Sequence, residues 1–86
     1  MKLQFHRNFK KHFKILPKHL RDKTKTVIDR FSNNPFEASL MNHPLHGHLE
    51  GKRAISVSYG YRITFKEYDD YQRVLLIDVG THEQLY

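Results

Sequence analysis

Two alternating runs of apolar residues meet at a glycine-containing turn, Tyr59-Gly60, and this feature constrains the fold most strongly. Apolar side chains occupy every second position of residues 53–59, and the alternation resumes in residues 61–65. Successive side chains of a strand point to opposite faces, so each run predicts a strand with one buried face. With the turn, they predict a β-hairpin. The side chains expected to be buried are Ile55, Val57, Tyr59, Tyr61, Ile63 and Phe65.

Two more alternating runs predict additional strands. Residues 2–6 alternate over a short distance, which indicates an outer strand. Residues 73–79 form a longer run, in which we expect Leu75, Ile77 and Val79 to face the core. Residues 36–42 show no clear period, and the sequence assigns no element to them.

Between the first strand and the hairpin, the apolar period lengthens to that of an amphipathic helix. Phe9, Phe13 and Leu16 are spaced four and three residues apart. Pro17 ends this helix and can begin a second one, and Asn-Asn-Pro at residues 33–35 predicts a left-handed cap and a stop. The stripe expected to be buried in the second helix is Leu20, Thr24, Val27, Ile28 and Phe31.

The combined patterns predict an α+β fold, with a helical hairpin packed on one face of a twisted antiparallel sheet. A chain of 86 residues can build one modest core, so we expect a single domain spanning residues 1–86. No apolar run reaches the length of a signal peptide or a membrane span. We therefore expect a cytoplasmic protein that does not associate with a membrane.

Charge is distributed unevenly along the chain, whose net charge is +6. Residues 1–30 carry ten Lys/Arg against two acids, a net +8, and residues 31–86 carry five against seven, a net −2. Such a basic region favours a polyanionic partner, either nucleic acid or an acidic protein. The absence of cysteine excludes a disulfide framework and a thiolate zinc site, and it suits a reducing compartment.

Arg62 is the most informative candidate for a binding residue. Strand alternation places it on the sheet face that the helices are not expected to cover. Its planar guanidinium group suits phosphate, and Lys52 or Arg53 could add a second positive charge. A salt bridge to Asp78 across the sheet would explain the same position equally well.

Three histidines precede the hairpin, at positions 43, 46 and 48. The spacing of His46 and His48 would place both on one side of an extended segment, as in some metal sites. No cysteine or matching carboxylate pattern accompanies them, so we expect neither a metal nor another cofactor. Histidines near arginines indicate acid-base chemistry instead, because imidazole titrates near neutral pH.

Four short motifs, taken in order, resemble the RelE/ParE toxin superfamily, nearest its YafQ-like mRNA interferases. They are HPLxG at His43, GxR at Gly51, GYRITF at Gly60 and the ending DVGTHEQLY. The resemblance implies a β-α-α-β-β-β toxin of a type II toxin-antitoxin system. It also implies ribosome-dependent mRNA cleavage without a metal, by attack of the ribose 2′-hydroxyl on the adjacent phosphate.

The same resemblance implies roles for individual residues. Arg62 matches the arginine that acts on the scissile phosphate, and Tyr86 takes the place of a terminal aromatic residue. We assign His82 as the general acid and His43 or His46 as the base. The expected catalytic residues are His43, His46, Arg62, His82 and Tyr86, and the expected substrate contacts are Lys52, Arg53, Ser56 and Tyr61.

The implied partners are a cognate antitoxin, the ribosome with its mRNA, and operator DNA through the antitoxin complex. We expect Lys10, Lys11 and Lys14 to contact the phosphate backbone of ribosomal RNA. Two alternatives remain open: a non-nucleolytic ParE-like toxin that inhibits DNA gyrase, and a toxin-derived module acting only in repression. They remain because Ser56 stands where YafQ-like enzymes carry a histidine, and because the aspartate near Gly60 and the arginine near Asp78 are missing.

Overall fold

The predicted strands and helices are present in the computed structural model, which describes residues 1–86. The strands are β1 (Lys2–Phe5), β2 (His43–Pro44), β3 (Arg53–Ser58), β4 (Tyr61–Tyr68) and β5 (Arg73–Thr81). The helices are α1 (Arg7–Ile15), α2 (Lys18–Asn33) and α3 (His82–Leu85), and short 3-10 turns span Ala38–Leu40 and Gly47–Leu49. This architecture confirms the α+β fold. None of the helices is long and apolar enough to cross a membrane.

The strands form one sheet in the order β1-β5-β4-β3-β2, which confirms β1 as an outer strand. Three of the four pairings are antiparallel, as expected. β1 instead runs parallel to β5, with Lys2 opposite Arg73, so the sheet is mixed. Parallel neighbours need a long connection between them, and here everything from α1 to β4 provides it.

The helical hairpin covers one face of the sheet through the apolar stripes that the sequence predicts. Phe31 is fully buried and meets Phe65 of β4 edge to face, with ring centroids 4.9 Å apart. The Thr24 hydroxyl, also buried, donates a hydrogen bond to the Leu20 carbonyl at 2.7 Å. The buried side chains of the hairpin are Phe9, Leu16, Leu20, Thr24, Val27 and Phe31, with Phe13 and Ile28 partly buried.

The stop after α2 is confirmed, but the predicted left-handed cap is wrong. Asn34 has extended backbone, with φ of −154°. Its side-chain oxygen accepts a hydrogen bond from the Phe36 amide at 3.1 Å. This local turn, made by an asparagine side chain, ends the helix before Pro35 without a left-handed residue.

The predicted core face of β5 is wrong in part, because a β-bulge changes the alternation. Phe65 of β4 lies opposite Leu76, whereas the preceding residue Thr64 lies opposite Asp78. Ile77 is therefore an extra residue without a partner. Before the bulge, Val74 and Leu76 are buried in place of Leu75 and Ile77, and after it Val79 is buried as predicted.

Tyr59 also departs from the predicted buried face. β3 ends at Ser58, which lies opposite Tyr61, and Tyr59 belongs to the turn with Gly60 at φ +80°. The Tyr59 side chain is fully exposed. A side chain at the tip of a two-residue turn has left the sheet, so strand alternation no longer determines its direction.

Candidate active site

Arg62 lies near the start of β4, on the sheet face opposite the helical hairpin. Its neighbours across the sheet are Ser56 on β3 and Gly80 on β5. No ion pair of the protein includes Arg62. The expected alternative, a salt bridge to Asp78, is wrong because the Asp78 carboxylate contacts His12 Nδ1 of α1 at 2.6 Å. Arg62 is thus a half-buried guanidinium group without a carboxylate partner.

α3 packs against β5 and β4 because Gly80 allows close approach. A Cβ atom at Gly80 would lie 2.7 Å from the side-chain oxygen of Gln84. That oxygen accepts a hydrogen bond from the Thr81 amide at 2.9 Å, and the Gln84 amide donates to the Thr81 hydroxyl at 3.3 Å. This reciprocal capping box explains the GTHEQ sequence and fixes the direction of α3.

Tyr86, which follows α3, lies close to Arg62. Burial raises the pKa of the Tyr86 hydroxyl above its ordinary value of 10.0, and the nearby Arg62 charge opposes part of that rise. The Tyr86 hydroxyl is therefore protonated at neutral pH and can donate a hydrogen bond. The exposed His82 ring lies edge-on to the Tyr86 ring, with centroids 4.3 Å apart.

Two buried side-chain atoms make no hydrogen bond within the protein, and both belong to this region. They are Arg62 Nε and the Tyr86 hydroxyl oxygen. A buried polar group without a partner is destabilising by about 1–3 kcal/mol. A ligand that accepts hydrogen bonds from both groups would remove that penalty, so the geometry suits an anion.

His43 lies on the same sheet face as Arg62, two strands away. It pairs with Ala54 on β3, two residues before Ser56. The two backbones are separated by two strand spacings, about 9.5 Å, and by a two-residue offset along the strands, about 6.6 Å. His43 Nδ1 lies 2.8 Å from the Met41 carbonyl, which can only accept, so Nδ1 carries the proton. In the neutral ring, Nε2 then keeps its lone pair and can act as a base.

His46, Lys52 and Arg53 form a second group, around a polar cleft of about 270 Å³ that Glu50 and Glu67 also line. His46 Nδ1 lies 3.6 Å from a Glu50 oxygen, and both side chains are largely exposed, so this pair contributes little stability. Arg53 is engaged within the protein, because its Nε donates to the Asn42 side-chain oxygen at 2.8 Å.

The remaining predicted residues lie on the side of the helices. Tyr61 packs against the core and lines a cavity of about 350 Å³ with His12 and Gln84. Lys10 and Lys14 border an apolar groove of about 450 Å³ between the helices, and Lys11 is exposed. The structure therefore groups Arg62, Ser56, His82 and Tyr86, which we call the Arg62 site, and keeps Tyr61 and the lysines apart from it.

Sequence reasoning missed Gly80, Thr81 and Gln84, which position α3. The pattern Thr81-x-x-Gln84 is a capping-box signature and could have indicated the helix. It also missed Asn42, whose contacts come from distant parts of the chain. No group of three His, Cys, Asp or Glu side chains could hold a metal ion.

No protein-family model matches the sequence, and a search of curated proteins finds no match. Solved structures do match the fold. YafQ from E. coli is 24% identical, with 99% of this chain and 97% of YafQ covered and a TM-score of 0.83. A YoeB/ParE toxin from Agrobacterium tumefaciens is 19% identical, with 95% and 99% covered and a TM-score of 0.80. The E. coli DinJ-YafQ complex gives 24% identity, 99% and 97% coverage and a TM-score of 0.80. Over nearly its whole length, the chain has the fold of YafQ and of the YoeB/ParE toxin.

Proposed function

We propose that this protein is the toxin of a toxin-antitoxin pair and that it cleaves mRNA on the ribosome. The observation that carries this proposal is the Arg62 site, in which Arg62 Nε and the Tyr86 hydroxyl are buried without hydrogen-bond partners in the chain. The oxygens of an RNA phosphate would accept hydrogen bonds from both. Phosphate also matches the planar geometry and the charge of a guanidinium group.

The proposed reaction is internal transfer at the phosphate. A base removes the proton of the ribose 2′-hydroxyl, and the 2′-oxygen bonds to phosphorus. The bond from phosphorus to the 5′-oxygen breaks as an acid protonates that oxygen, which leaves a 2′,3′-cyclic phosphate and a 5′-hydroxyl. Arg62 stabilises the charge that accumulates on the phosphate oxygens in the transition state.

Histidines would perform the two proton transfers. His43 is the proposed base, supported by the contact of Nδ1 with the Met41 carbonyl, which leaves Nε2 free to accept a proton. His82 is the proposed acid, supported by its position beside Tyr86 in the Arg62 site. His46 is the alternative base, and Ser56, opposite Arg62, would contact the RNA backbone.

Further contacts would be made outside the Arg62 site. Lys52 and Arg53, at the polar cleft, are proposed to contact mRNA near the cleavage point, and Tyr61 is the weakest candidate because it packs against the core. Lys10, Lys11 and Lys14 would contact phosphates of ribosomal RNA. A cognate antitoxin is the other proposed partner, supported by the likeness to the DinJ-YafQ complex. Operator DNA would be bound only through that antitoxin.

The experiment is induced expression followed by mapping of mRNA 5′ ends on translating ribosomes. Wild type, Arg62→Ala and His82→Ala are compared with a control, Lys66→Ala. Lys66 lies further along β4 with the same strand parity as Arg62, is exposed and forms no ion pair. Cleavage that depends on translation, persists in the control and disappears in both site variants is the expected result.

One feature favours a second candidate, a ParE-like toxin that inhibits DNA gyrase. Asp78, the acidic residue of the neighbouring strand β5, contacts His12, and Ser56 offers no acid-base group opposite Arg62. If the mRNA in the same cells is intact and DNA breaks accumulate, the proposed nuclease function is wrong and the gyrase inhibitor is supported. If the cells show no mRNA cleavage and no DNA breaks while the protein still binds its antitoxin, the remaining candidate is a role confined to repression.

A further inference from the structure

The segment that carries His43 is tied to the sheet by three side chains that we call the Asn42 clamp: Arg53, Asn42 and Tyr71. Arg53 Nε donates to the Asn42 side-chain oxygen at 2.8 Å. The Asn42 side-chain nitrogen donates to the Tyr71 hydroxyl at 3.1 Å and to the Pro35 carbonyl at 3.0 Å. Because Arg53 can only donate and the carbonyl can only accept, the orientation of the Asn42 amide is unambiguous.

Tyr71 gives the clamp a fixed anchor. Its ring lies 6.2 Å from those of Phe31 and Phe65, which belong to the core, and meets Phe36 edge to face at 5.2 Å. Its amide donates to the Glu67 carboxylate at 3.0 Å. Tyr71 has a left-handed backbone, with φ of +69°, and follows two residues that are each at +55°. The hairpin turn thus directs the Tyr71 hydroxyl towards Asn42.

Arg53 anchors the other side of the clamp. Its backbone lies opposite Pro44 in the pairing of β2 with β3, and its guanidinium carbon lies 5.9 Å from the centre of the Phe36 ring. The Leu45 amide donates to the Lys52 carbonyl at 2.9 Å and extends this pairing. β2 is only two residues long, so its few backbone hydrogen bonds hold it weakly.

His43 directly follows Asn42 in the chain, and its ring contacts Met41, which directly precedes Asn42. Met41 adopts a left-handed backbone, with φ of +52°, and its carbonyl accepts from His43 Nδ1 at 2.8 Å. A shift of Asn42 would therefore move both the backbone of His43 and the carbonyl that selects its tautomer.

We infer that Arg53, Asn42 and Tyr71 are positioning residues that hold His43 in the orientation needed for proton transfer. This inference rests on the proposed function in assigning His43 as the base, but the clamp itself is measurable without cleavage. Asn42 and Tyr71 need no contact with RNA for this role. Arg53 fulfils it through Nε.

The first test measures the clamp in the intact protein, with Asn42→Ala and Tyr71→Phe as variants. Tyr68→Phe is the matched control, because the Tyr68 hydroxyl forms no hydrogen bond within the chain and its ring stacks on Arg73 at 4.1 Å. We expect exchange of the Leu45 amide proton to accelerate about tenfold in Tyr71→Phe, which loses one hydrogen bond, and by more in Asn42→Ala, which loses the three that the Asn42 side chain makes. The nitrogen shifts of the His43 ring should move towards a mixture of tautomers. Unchanged exchange and unchanged His43 shifts in Asn42→Ala would overturn the inference.

The second test separates positioning from contact with RNA. In single-turnover cleavage of ribosome-bound mRNA, Asn42→Ala should lower the rate about tenfold at saturating ribosome while leaving ribosome affinity unchanged. In a His43→Ala background, it should lower the rate no further, because residues that act as one unit are not additive. An additive loss would overturn the inference. If wild type cleaves no mRNA, the proposed function fails, whereas the exchange and nitrogen-shift measurements still decide whether the clamp holds His43.

Discussion

The Arg62 site and the lysines of α1 are both positively charged, but they hold their charges in opposite ways. Arg62 is half-buried, and its Nε makes no hydrogen bond within the chain. Lys10, Lys11 and Lys14 are exposed beside an apolar groove, and water can solvate their ammonium groups. A solvated lysine affects stability little, whereas a desolvated group without a partner is destabilising. We therefore propose a specific ligand at Arg62 and a general polyanion at α1.

The largest expected effect is at Arg62. Arg62→Ala should lower the single-turnover cleavage rate by about 10²–10³, the range for losing one group that stabilises a transition state. The free energy of unfolding should not fall, because no hydrogen bond of Nε is lost and the penalty of its unpaired burial is removed. Quenched single-turnover assays measure the cleavage rate, and urea unfolding measures the free energy of unfolding. A large loss of stability would mean that Arg62 stabilises the fold and is not held ready for a ligand.

The next largest effect is expected at Gly80. A Cβ in Gly80→Ala would displace the Gln84 side chain and remove its hydrogen bond to the Thr81 amide. Losing that bond should loosen α3 and lower cleavage about tenfold. Gln84→Ala should have the same effect, and the double variant should be no worse than either. An additive loss in the double variant would show that Gly80 acts in another way.

A smaller effect, confined to binding, is expected for the α1 lysines. Replacing Lys10, Lys11 and Lys14 by Glu should weaken ribosome binding several-fold at moderate salt and reduce the slope of log affinity against log salt by about two. The cleavage rate at saturating ribosome should stay unchanged. Sedimentation binding over a salt series measures the slope, with Lys23→Glu, an exposed cation on α2, as control. An equal loss per substituted lysine in the control would mean that the effect comes from net charge and not from the position on α1.

The smallest effect concerns the proton of Tyr86. Because burial raises its pKa in the folded protein, its contribution to stability is fully present below pH 10.0 and is lost as pH rises through the folded pKa. Arg62→Gln should raise the pKa of Tyr86 further, since the Arg62 charge opposes the effect of burial. Carbon NMR of labelled tyrosine between about pH 9 and 12 measures it. An unchanged pKa of Tyr86 in Arg62→Gln would show that the Arg62 charge does not act on the Tyr86 hydroxyl.

The elements of the fold were predictable where one face of each element contacts the core with an unbroken period. Val27 and Phe31 of α2 and Ile55 and Ile63 of the hairpin are buried as predicted. The prediction failed where a single residue breaks the period. Ile77 is the extra residue of a bulge, and bulges depend on the partner strand as much as on local sequence.

The candidate site was predictable only as separate residues. Strand alternation places Arg62 on the face opposite the helices. The contact between the Asp78 carboxylate and His12 could not be predicted from the sequence, because 66 positions separate the two residues. Asn42 shows the same limit, since its partners Arg53 and Tyr71 lie 11 and 29 positions away. Such contacts follow from the tertiary arrangement, which local periodicity does not encode.

The parallel pairing of β1 with β5 has a consequence for how the chain reaches its folded state. Phe5 of β1 lies opposite Leu76, so the pair forms only when a loop of about seventy residues closes. Contacts so distant in sequence slow folding, because the chain entropy is lost before the contacts are gained. α1 packs on β5 as well, so the hairpin of β3 and β4 can form early while β1 and α1 join late. Refolding should therefore show the exchange protection of β3 and β4 before that of β1.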